Sequence, residues 1–248
     1  MIPAMVLEGY DRGFIAALIA SSGSTALIVP PSIALIIYGA LTTTSITTLF
    51  AAGVIPGFIA GLCLAVPALL VSRRKGYGSR ERGEGQEAFW PLFKEAIWGL
   101  LAPGIILGGL YGGIFTPTEA AVVAVFYGLF LGLAVYRTLD FKKLYEILRD
   151  ASEASAIVML IVTLAGLFSW TASTLGTLDA IARAMMRVSS HPAVALFLVN
   201  LMLLMAGMLI DAVSIYYIFL PILLPMMAAF GWDPIWFGIV MTFNIAIG

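Results

Sequence analysis

Residues 14–38 read FIAALIASSGSTALIVPPSIALIIY and contain no charged side chain. At 1.5 Å per helical residue, these ~25 residues are long enough to cross the roughly 30 Å hydrocarbon core of a bilayer. The central SSGST and PPS oppose a continuous helix, because Pro30 and Pro31 lack amide donors and hydroxyl side chains can bond to the local backbone. We therefore predict two half-helices that meet around an unwound loop at residues 22–25.

The broken segment is also the first candidate site. Unwound backbone at membrane depth is tolerated only where it is buried in protein or lines a polar cavity. Carbonyl and hydroxyl oxygens suit a hard cation such as Na⁺, and the N-terminus of a half-helix suits an anion. The alternative is a kinked helix with a purely structural role, in which Ser and Thr bond back to carbonyls one turn earlier. The candidate residues are Ser22, Gly23, Ser24 and Thr25, which are the Na⁺ candidates, together with Pro30, Pro31 and Ser32.

The composition indicates an all-α polytopic membrane protein. Hydrophobic residues make up 61% of the chain, charged residues 11%, and the mean hydropathy is +1.04, far from soluble averages. A net charge of −1 indicates no nucleic-acid partner. The single histidine, His191, and the single cysteine, Cys63, argue against most zinc sites, catalytic dyads and disulfide frameworks. We expect no enzyme and no cofactor.

A second interruption divides the apolar run 194–230 at Gly207 and Asp211. Each half is short for a tilted span, so a re-entrant hairpin that enters and leaves on one side fits well. Intramembrane acids are costly and usually functional, so we place Asp211 at the hairpin tip with Gly207 and Ser214. The alternative is a plain helix cap. The predicted apolar segments are 14–38, 48–71, 97–115, 117–136, 154–172, 194–210, 212–230 and 235–248.

The distribution of lysine and arginine predicts the orientation. Two basic loops fall on one side if 97–115 and 117–136 each span, and that side is then cytoplasmic. The residues placed there are Arg12, Arg73, Arg74, Lys75, Arg80, Arg82, Lys94, Arg137, Lys142, Lys143 and Arg149. Arg183 and Arg187 lie outside, on LDAIARAMMRV, whose pattern predicts an interfacial amphipathic helix. FKKLYEILRDA and EAFWPLFKEAIW show a similar pattern on the cytoplasmic side.

A short motif occurs twice in the chain. IPAMVLEGYD at 2–11 recurs as LPMMAAFGWD at 224–233, with an offset of 222 (Pro225 against Pro3, Asp233 against Asp11). The predicted topology places Asp11 inside and Asp233 outside, so the copies are inverted. Inverted repeats with interrupted helices are typical of secondary transporters. We divide the chain into the end of a first repeat (1–71), a cytoplasmic loop and arm (72–96) and an incomplete second repeat (97–248). The offset places Asn244 opposite Ser22, which makes Asn244 a further candidate.

Thr116-Pro117-Thr118-Glu119 forms a predicted capping box at the start of the fourth segment. This structural role accounts for the motif. The functional alternative is that Glu119 also lines the transport path or an interface.

Several stretches together resemble the large membrane subunit, DctM type, of tripartite ATP-independent periplasmic (TRAP) transporters. They are IPAMVLEGYDRGFIAAL, PPSIALIIYG, GGIFTPTEAAVVAVFYGL and the run from GMLIDAVSIYYI to the last residue. The resemblance implies a Na⁺-driven importer of organic acids in a bacterial or archaeal cytoplasmic membrane. It implies inverted repeats, two helical hairpins, a smaller membrane subunit and a periplasmic substrate-binding protein as partners. It also implies that the serine-rich loop and PPS contribute to one Na⁺ site, and that the Asp211 hairpin belongs to the second half of the transport domain.

Two other classes of membrane protein remain as alternatives. One is the membrane subunit of an ATP-driven permease, and the other is a passive channel. The offset of 222 maps Pro30 and Pro31 onto positions just beyond Gly248, so we expect the natural reading frame to continue into a Pro-Pro pair. We likewise expect it to begin earlier, with a first hairpin that carries small hydroxyl residues.

Overall fold

The computed structural model describes residues 2–77, 89–177, 180, 183–184 and 191–248, and every regular element within these ranges is a helix. One π-helical turn at Leu131–Val135 extends the sixth helix. The helices are α1 Ile2–Leu7, α2 Arg12–Thr25, α3 Ile33–Thr42, α4 Ile46–Lys75, α5 Phe89–Tyr111, α6 Pro117–Phe130, α7 Phe141–Thr174, α8 Pro192–Gly207, α9 Ala212–Phe230 and α10 Pro234–Ile247.

Four helices in the described ranges are long and apolar enough to cross a membrane. They are α4, α6 with its π-turn, α7 and α9. The helices α3, α8 and α10 and the stretch Ala96–Tyr111 are apolar but shorter. The prediction of an all-α polytopic membrane protein is therefore confirmed.

The chain divides into two compact units. The first unit contains Met1–Pro31 and Ile55–Leu139, and the second contains Ser32–Val54 and Asp140–Gly248. The division between them falls directly after the Pro30–Pro31 pair and again inside α4. The predicted repeat boundaries at 71 and 97 divide the chain by its sequence repeat and not by its compact units, and they stay a prediction.

In the first unit, an aromatic cluster joins the start of α2 to the end of α4. The ring centroid of Tyr77 lies 4.8 Å from that of Tyr10 and 5.6 Å from that of Phe14. Ser72 Oγ also donates to Tyr10 Oη at 3.2 Å. These contacts hold the C-terminal end of α4 beside the turn that precedes α2.

The α5–α6 turn shows the predicted capping box. Thr116 Oγ1 accepts from Glu119 N–H at 3.3 Å, and Glu119 Oε2 accepts from Thr116 N–H at 2.8 Å. Gly113 adopts φ +67° in the turn just before it. The capping prediction is confirmed, and the Glu119 carboxylate is exposed.

In the second unit, α9 packs against α3, α7, α8 and α10. One buried face of α9 supplies much of the core, and its fully buried members are Ile215, Tyr216, Leu220, Leu223 and Met226. Burying a side chain of this size contributes about 1.5–3 kcal/mol relative to exposure in water. Because lipid replaces water around the outer faces, close packing and internal hydrogen bonds carry more of the specificity in a membrane.

Three buried polar groups pair across this core. Tyr216 Oη and Thr242 Oγ1 are 2.7 Å apart, and Thr242 also donates to Gly238 O at 2.7 Å. Tyr38 Oη donates to Pro234 O at 2.6 Å. A Cβ at Gly238 would lie 2.5 Å from Tyr38 Cε1, so only glycine admits the tyrosine ring. These bonds fix how α3, α9 and α10 meet.

The first segment is broken, as predicted, but the predicted position of the unwound loop is wrong. Ser22, Gly23, Ser24 and Thr25 form the last turn of α2, and the non-helical stretch is residues 26–32. The hydroxyl groups bond to carbonyls of their own helix and are compatible with it, whereas the ring of Pro30 and the missing donors of Pro30 and Pro31 are not. The backbone therefore unwinds immediately before the prolines.

Two predicted amphipathic stretches are parts of longer helices. FKKLYEILRDA continues through SEASA into the apolar segment as one helix, α7, of 34 residues. No proline or glycine lies between its start and Gly166, so nothing breaks the hydrogen-bond ladder. The part of EAFWPLFKEAIW that the structure describes, from Phe89 onward, similarly belongs to α5. Most of LDAIARAMMRV lies outside the described residues.

The recurring motif has the same local structure in both copies. Gly9 and Gly231 both adopt left-handed conformations, with φ +81° and +66°. In each copy the residue after this glycine donates back across the turn, as in a Schellman motif. The hydrogen bonds are Tyr10 N–H to Met5 O and Trp232 N–H to Met227 O, both 3.0 Å.

The aspartates of the motif also have the same role. Asp11 accepts from Phe14 N–H at 3.1 Å as the N-cap of α2, and Asp233 accepts from Trp236 N–H at 2.8 Å as the N-cap of α10. The recurrence therefore covers a helix end, a turn and a new helix start. That the copies are inverted relative to the membrane stays a prediction.

Replacing Gly231 with alanine should destabilise the protein by about 1 kcal/mol, because a Cβ is disfavoured at positive φ. No atom lies within 4 Å of that Cβ position, so the penalty is in the backbone alone. Gly231→Asn should cost less, since asparagine tolerates this region. Gly61→Ala is the control, because Gly61 is helical with equally open space. Thermal unfolding in detergent measures the differences, and equal melting of the Gly231→Ala and Gly61→Ala variants would contradict the assignment.

Candidate functional site

Three predicted Na⁺ candidates project hydroxyl groups from the last turn of α2. Ser22 Oγ donates to Ile19 O at 3.0 Å, Ser24 Oγ to Ser21 O at 2.9 Å, and Thr25 Oγ1 to Ser22 O at 2.6 Å. This is the back-bonding described above as the structural alternative. This back-bonding does not exclude Na⁺ binding, because each hydroxyl that donates its hydrogen retains oxygen lone pairs.

The chain continues from α2 in a tight turn. Ile28 N–H and Val29 N–H both donate to Thr25 O at 3.0 Å, and Leu27 N–H donates to Ser24 O at 3.2 Å. The last carbonyls of α2 are therefore partly paired. A Cβ at Gly57 would lie 3.1 Å from Val29 Cγ2, so α4 approaches this turn closely. The negative end of the helix dipole and three hydroxyl oxygens coincide here, an arrangement that suits a cation.

The prolines and Ser32 connect the turn to α3. Pro30 is buried and Pro31 is exposed. Ser32 is 1% exposed and is the N-cap of α3, where its Oγ accepts from Leu35 N–H at 3.4 Å. Its role as a cap is visible, whereas a role in binding stays a prediction.

Asp211 lies in the turn between α8 and α9, which matches the predicted ends of the two hairpin segments. Its Oδ2 accepts from Ser214 N–H at 3.1 Å, and its Oδ1 accepts from Ser214 Oγ at 2.6 Å. Both oxygens thus cap α9, while the residue is exposed. The cap alternative is present in the structure, and a further role at a hairpin tip stays a prediction.

Gly207 lies where α8 and α10 touch. A Cβ at Gly207 would lie 3.0 Å from Gly248 Cα and 3.3 Å from Ile245 O. A Cβ at Gly248 would be 2.5 Å from Leu204 O. Glycine therefore suits both sides of this backbone contact, where Ile245 O faces Gly207 and Leu204 O faces Gly248.

Asn244 lies near the same contact and pairs with Asn200, which the sequence did not single out as a site residue. Asn244 Nδ2 donates to Asn200 Oδ1 and to Val240 O, each at 2.8 Å. Both asparagines are half-buried. Gly207 and Asn244 therefore both lie on the contacting helices α8 and α10, and Asp211 and Ser214 follow four and seven residues beyond Gly207.

A cleft of about 460 Å³ also lies within the second unit, between α7 and α9. Four of its lining residues carry polar groups, and none is charged: Ser169, Trp170, Ser173 and Tyr217. Elsewhere on α7, Ser152, Thr163 and Thr174 bond back to helix carbonyls. The hydroxyls of Ser169, Ser173 and Tyr217 make no such bond to a described residue. Sequence reasoning missed the cleft because single hydroxyls in an apolar helix give no periodic signal.

The family model for the DctM component of the tripartite ATP-independent periplasmic transporter matches residues 1–248. The chain belongs to the TRAP transporter DctM family. The predicted resemblance is therefore confirmed, and the protein is a multi-pass membrane protein of this family.

Relatives of this TRAP component share more than a third of its residues. The isethionate permease protein DctMQ of Oleidesulfovibrio alaskensis is 38% identical over 247 residues, covering 100% of this chain and 39% of the relative. The sialic acid large permease protein SiaM of Vibrio cholerae is 38% identical, covering 96% of this chain and 56% of the relative. The C4-dicarboxylate large permease protein DctM of Pseudomonas aeruginosa is 37% identical, covering 100% and 58%. The chain thus spans about half the length of the relatives that it matches.

Substitutions at Asp211 separate its capping role from its charge. Asp211→Asn should retain the cap and change the stability little, whereas Asp211→Ala should cost about 1 kcal/mol because Ser214 N–H loses its acceptor. The unfolding midpoint in detergent reports both. If the Asn variant were as unstable as the Ala variant, the carboxylate charge rather than the cap would hold the turn.

Gly207→Ala should separate α8 from α10, because the added methyl group meets backbone atoms that cannot rotate away. We expect a loss of about 1–3 kcal/mol, as for other overpacked contacts. Gly166→Ala is the matched control, since no atom lies within 4 Å of its Cβ position. Unchanged melting of the Gly207→Ala variant would show that the close contact is not required.

Proposed function

We propose that this chain forms part of the permease subunit of a Na⁺-driven secondary transporter. The transporter imports an organic acid, a C4-dicarboxylate or a related carboxylate, across a bacterial or archaeal cytoplasmic membrane. A periplasmic substrate-binding protein delivers the acid, and a small membrane subunit completes the permease. The match of the whole chain to the TRAP component carries this proposal.

The choice of substrate class follows from the relatives. Their printed names refer to isethionate, sialic acid, C4-dicarboxylate and 2,3-diketo-L-gulonate. All of these are organic acids or their anions, but their shapes differ. The shared property is a negative charge in a small polar molecule, so we assign organic acids as the substrate class. We propose that the binding protein selects the individual acid.

The choice of Na⁺ follows from the donors. Groups of three or more His, Cys, Asp and Glu that could bind a transition metal are absent from the described residues. The end of α2 instead offers the hydroxyl oxygens of Ser22, Ser24 and Thr25 beside the negative end of a helix dipole. Neutral oxygens suit a hard cation with one charge, and they support reversible binding because they bind it weakly.

Uptake by the complete transporter tests this function. Both membrane subunits are reconstituted into vesicles, and radiolabelled succinate, sialic acid and isethionate are supplied in turn with the cognate binding protein. We expect one of these acids to accumulate under an inward Na⁺ gradient and not under a K⁺ gradient. Uptake that requires ATP and ignores Na⁺ would contradict the proposal in favour of an ATP-driven permease.

Removing the α2 hydroxyls should weaken Na⁺ binding. The Ser22→Ala, Ser24→Ala and Thr25→Ala triple variant should raise the Na⁺ concentration for half-maximal uptake about tenfold or more, since each interaction with a charged partner contributes roughly 1.5–3 kcal/mol. Alanine favours the helix, so folding should persist. Ser152→Ala is the control, because Ser152 Oγ also donates to a helix carbonyl, Leu148 O, away from the site. Equal Na⁺ dependence of the triple variant and this control would refute the assignment.

A further inference from the structure

We propose that Asn200 is a positioning residue, which orients the amide of Asn244 so that Asn244 Oδ1 is presented to the transported cation. This inference rests on the proposed function, and it adds a residue and a mechanism to the second half of the site. Asn200 lies on α8 and Asn244 on α10, so one hydrogen bond across the hairpin contact sets the geometry of a ligand.

The orientation of the Asn244 amide is determined by its neighbours. The atom 2.8 Å from Val240 O must be the NH₂ group, because a carbonyl oxygen can only accept. The same nitrogen donates its second hydrogen to Asn200 Oδ1 at 2.8 Å. With both hydrogens engaged, the amide cannot rotate without breaking two bonds, and Asn244 Oδ1 must point away from them.

The oxygen so oriented is available to a ligand. No described residue donates a hydrogen bond to Asn244 Oδ1. Nor is this oxygen sealed off, since no buried side-chain nitrogen or oxygen in the described part of the chain lacks a partner. Asn244 Oδ1 is therefore a neutral acceptor that is not fully buried and that has a fixed direction. Such an oxygen is a suitable ligand for Na⁺ and a poor one for an anion.

The surroundings provide a second reason for a cation. Gly207 and Gly248 allow α8 and α10 to touch at backbone distance, about two turns beyond Asn200 on α8 and one turn beyond Asn244 on α10. The carbonyl oxygens of Leu204 and Ile245 lie at this contact. These carbonyls contribute partial negative charge at the end of α8 and α10 that follows the pair, and no Asp or Glu lies on either helix.

The bond to Val240 alone would not be enough to fix the amide. That carbonyl belongs to α10 itself, one turn before Asn244, so it moves with the helix. Only the bond to Asn200 relates the amide to α8 and hence to the hairpin that begins at Pro192. Losing it would leave Asn244 free to adopt other rotamers and would lower the population that presents Oδ1 correctly.

The test uses the complete transporter in vesicles and measures the Na⁺ dependence of uptake for three variants of Asn200. Asn200→Leu has nearly the same volume but no acceptor, and we expect it to raise the half-maximal Na⁺ concentration about tenfold, with a smaller effect on the maximal rate. Asn200→Asp retains the acceptor and should not raise it. Asn200→Thr gives a folded alternative, because its hydroxyl can bond within α8 but cannot reach Asn244, and it should behave like Asn200→Leu. Leu201→Ala, at an exposed neighbour on α8, is the control.

A double variant separates positioning from packing. In Asn200→Leu with Asn244→Leu both polar partners are gone, so thermal stability should recover relative to Asn200→Leu alone. Na⁺ affinity should not recover, because the ligand itself is absent. Recovery of both, or a Na⁺ dependence unchanged in a folded Asn200→Leu or Asn200→Thr variant, would overturn the inference. A wild-type transporter that ignores Na⁺ would instead overturn the proposed function, and this inference with it.

Discussion

Every break in a membrane helix must satisfy its own backbone, because no water is available in the hydrocarbon core to do so. This constraint explains the arrangement of polar groups in the chain. Aspartates begin α2, α9 and α10, and the side chain of each accepts from the third amide of its helix. Hydroxyls at the end of α2 bond to carbonyls of the same turn. A hydroxyl that donates in such a bond keeps its oxygen lone pairs, so the same groups can also accept a cation.

The same constraint relates the two copies of the sequence motif. A left-handed glycine ends one helix, and an aspartate two residues later begins the next. A connection of this kind is compact, and its own residues satisfy its backbone hydrogen bonds. The same helix end, turn and helix start can therefore recur elsewhere in the membrane domain. Eleven residues beyond the aspartate of each copy, the offset of 222 pairs Ser22 with Asn244. Each side chain has a neutral oxygen, so the proposed cation sites would be built from different side chains.

Local signals in the sequence predicted a large part of this structure. Proline pairs, capping residues and glycines determine where helices begin and end, so the interruption between α8 and α9, the capping box and the break before α3 were predictable. Local signals did not show that residues 22–25 remain helical, because hydroxyl side chains are compatible with both a loop and a back-bonded turn. They also could not show contacts between distant residues, such as Asn200 with Asn244 or Tyr38 with Pro234. Those contacts depend on how helices pack, which one sequence does not encode in any short window.

The central claim is that the two motif copies lie in opposite orientations in one transporter. Cysteine labelling in the complete protein, with the exposed Cys63 replaced by serine, measures this most directly. Glu8→Cys and Ala229→Cys place one thiol in each copy, both at exposed positions. We expect a membrane-impermeant maleimide added to intact cells to label the Ala229→Cys variant, and we expect the Glu8→Cys variant to be labelled only in inverted vesicles. Labelling of both variants from the same side would contradict the inverted repeat.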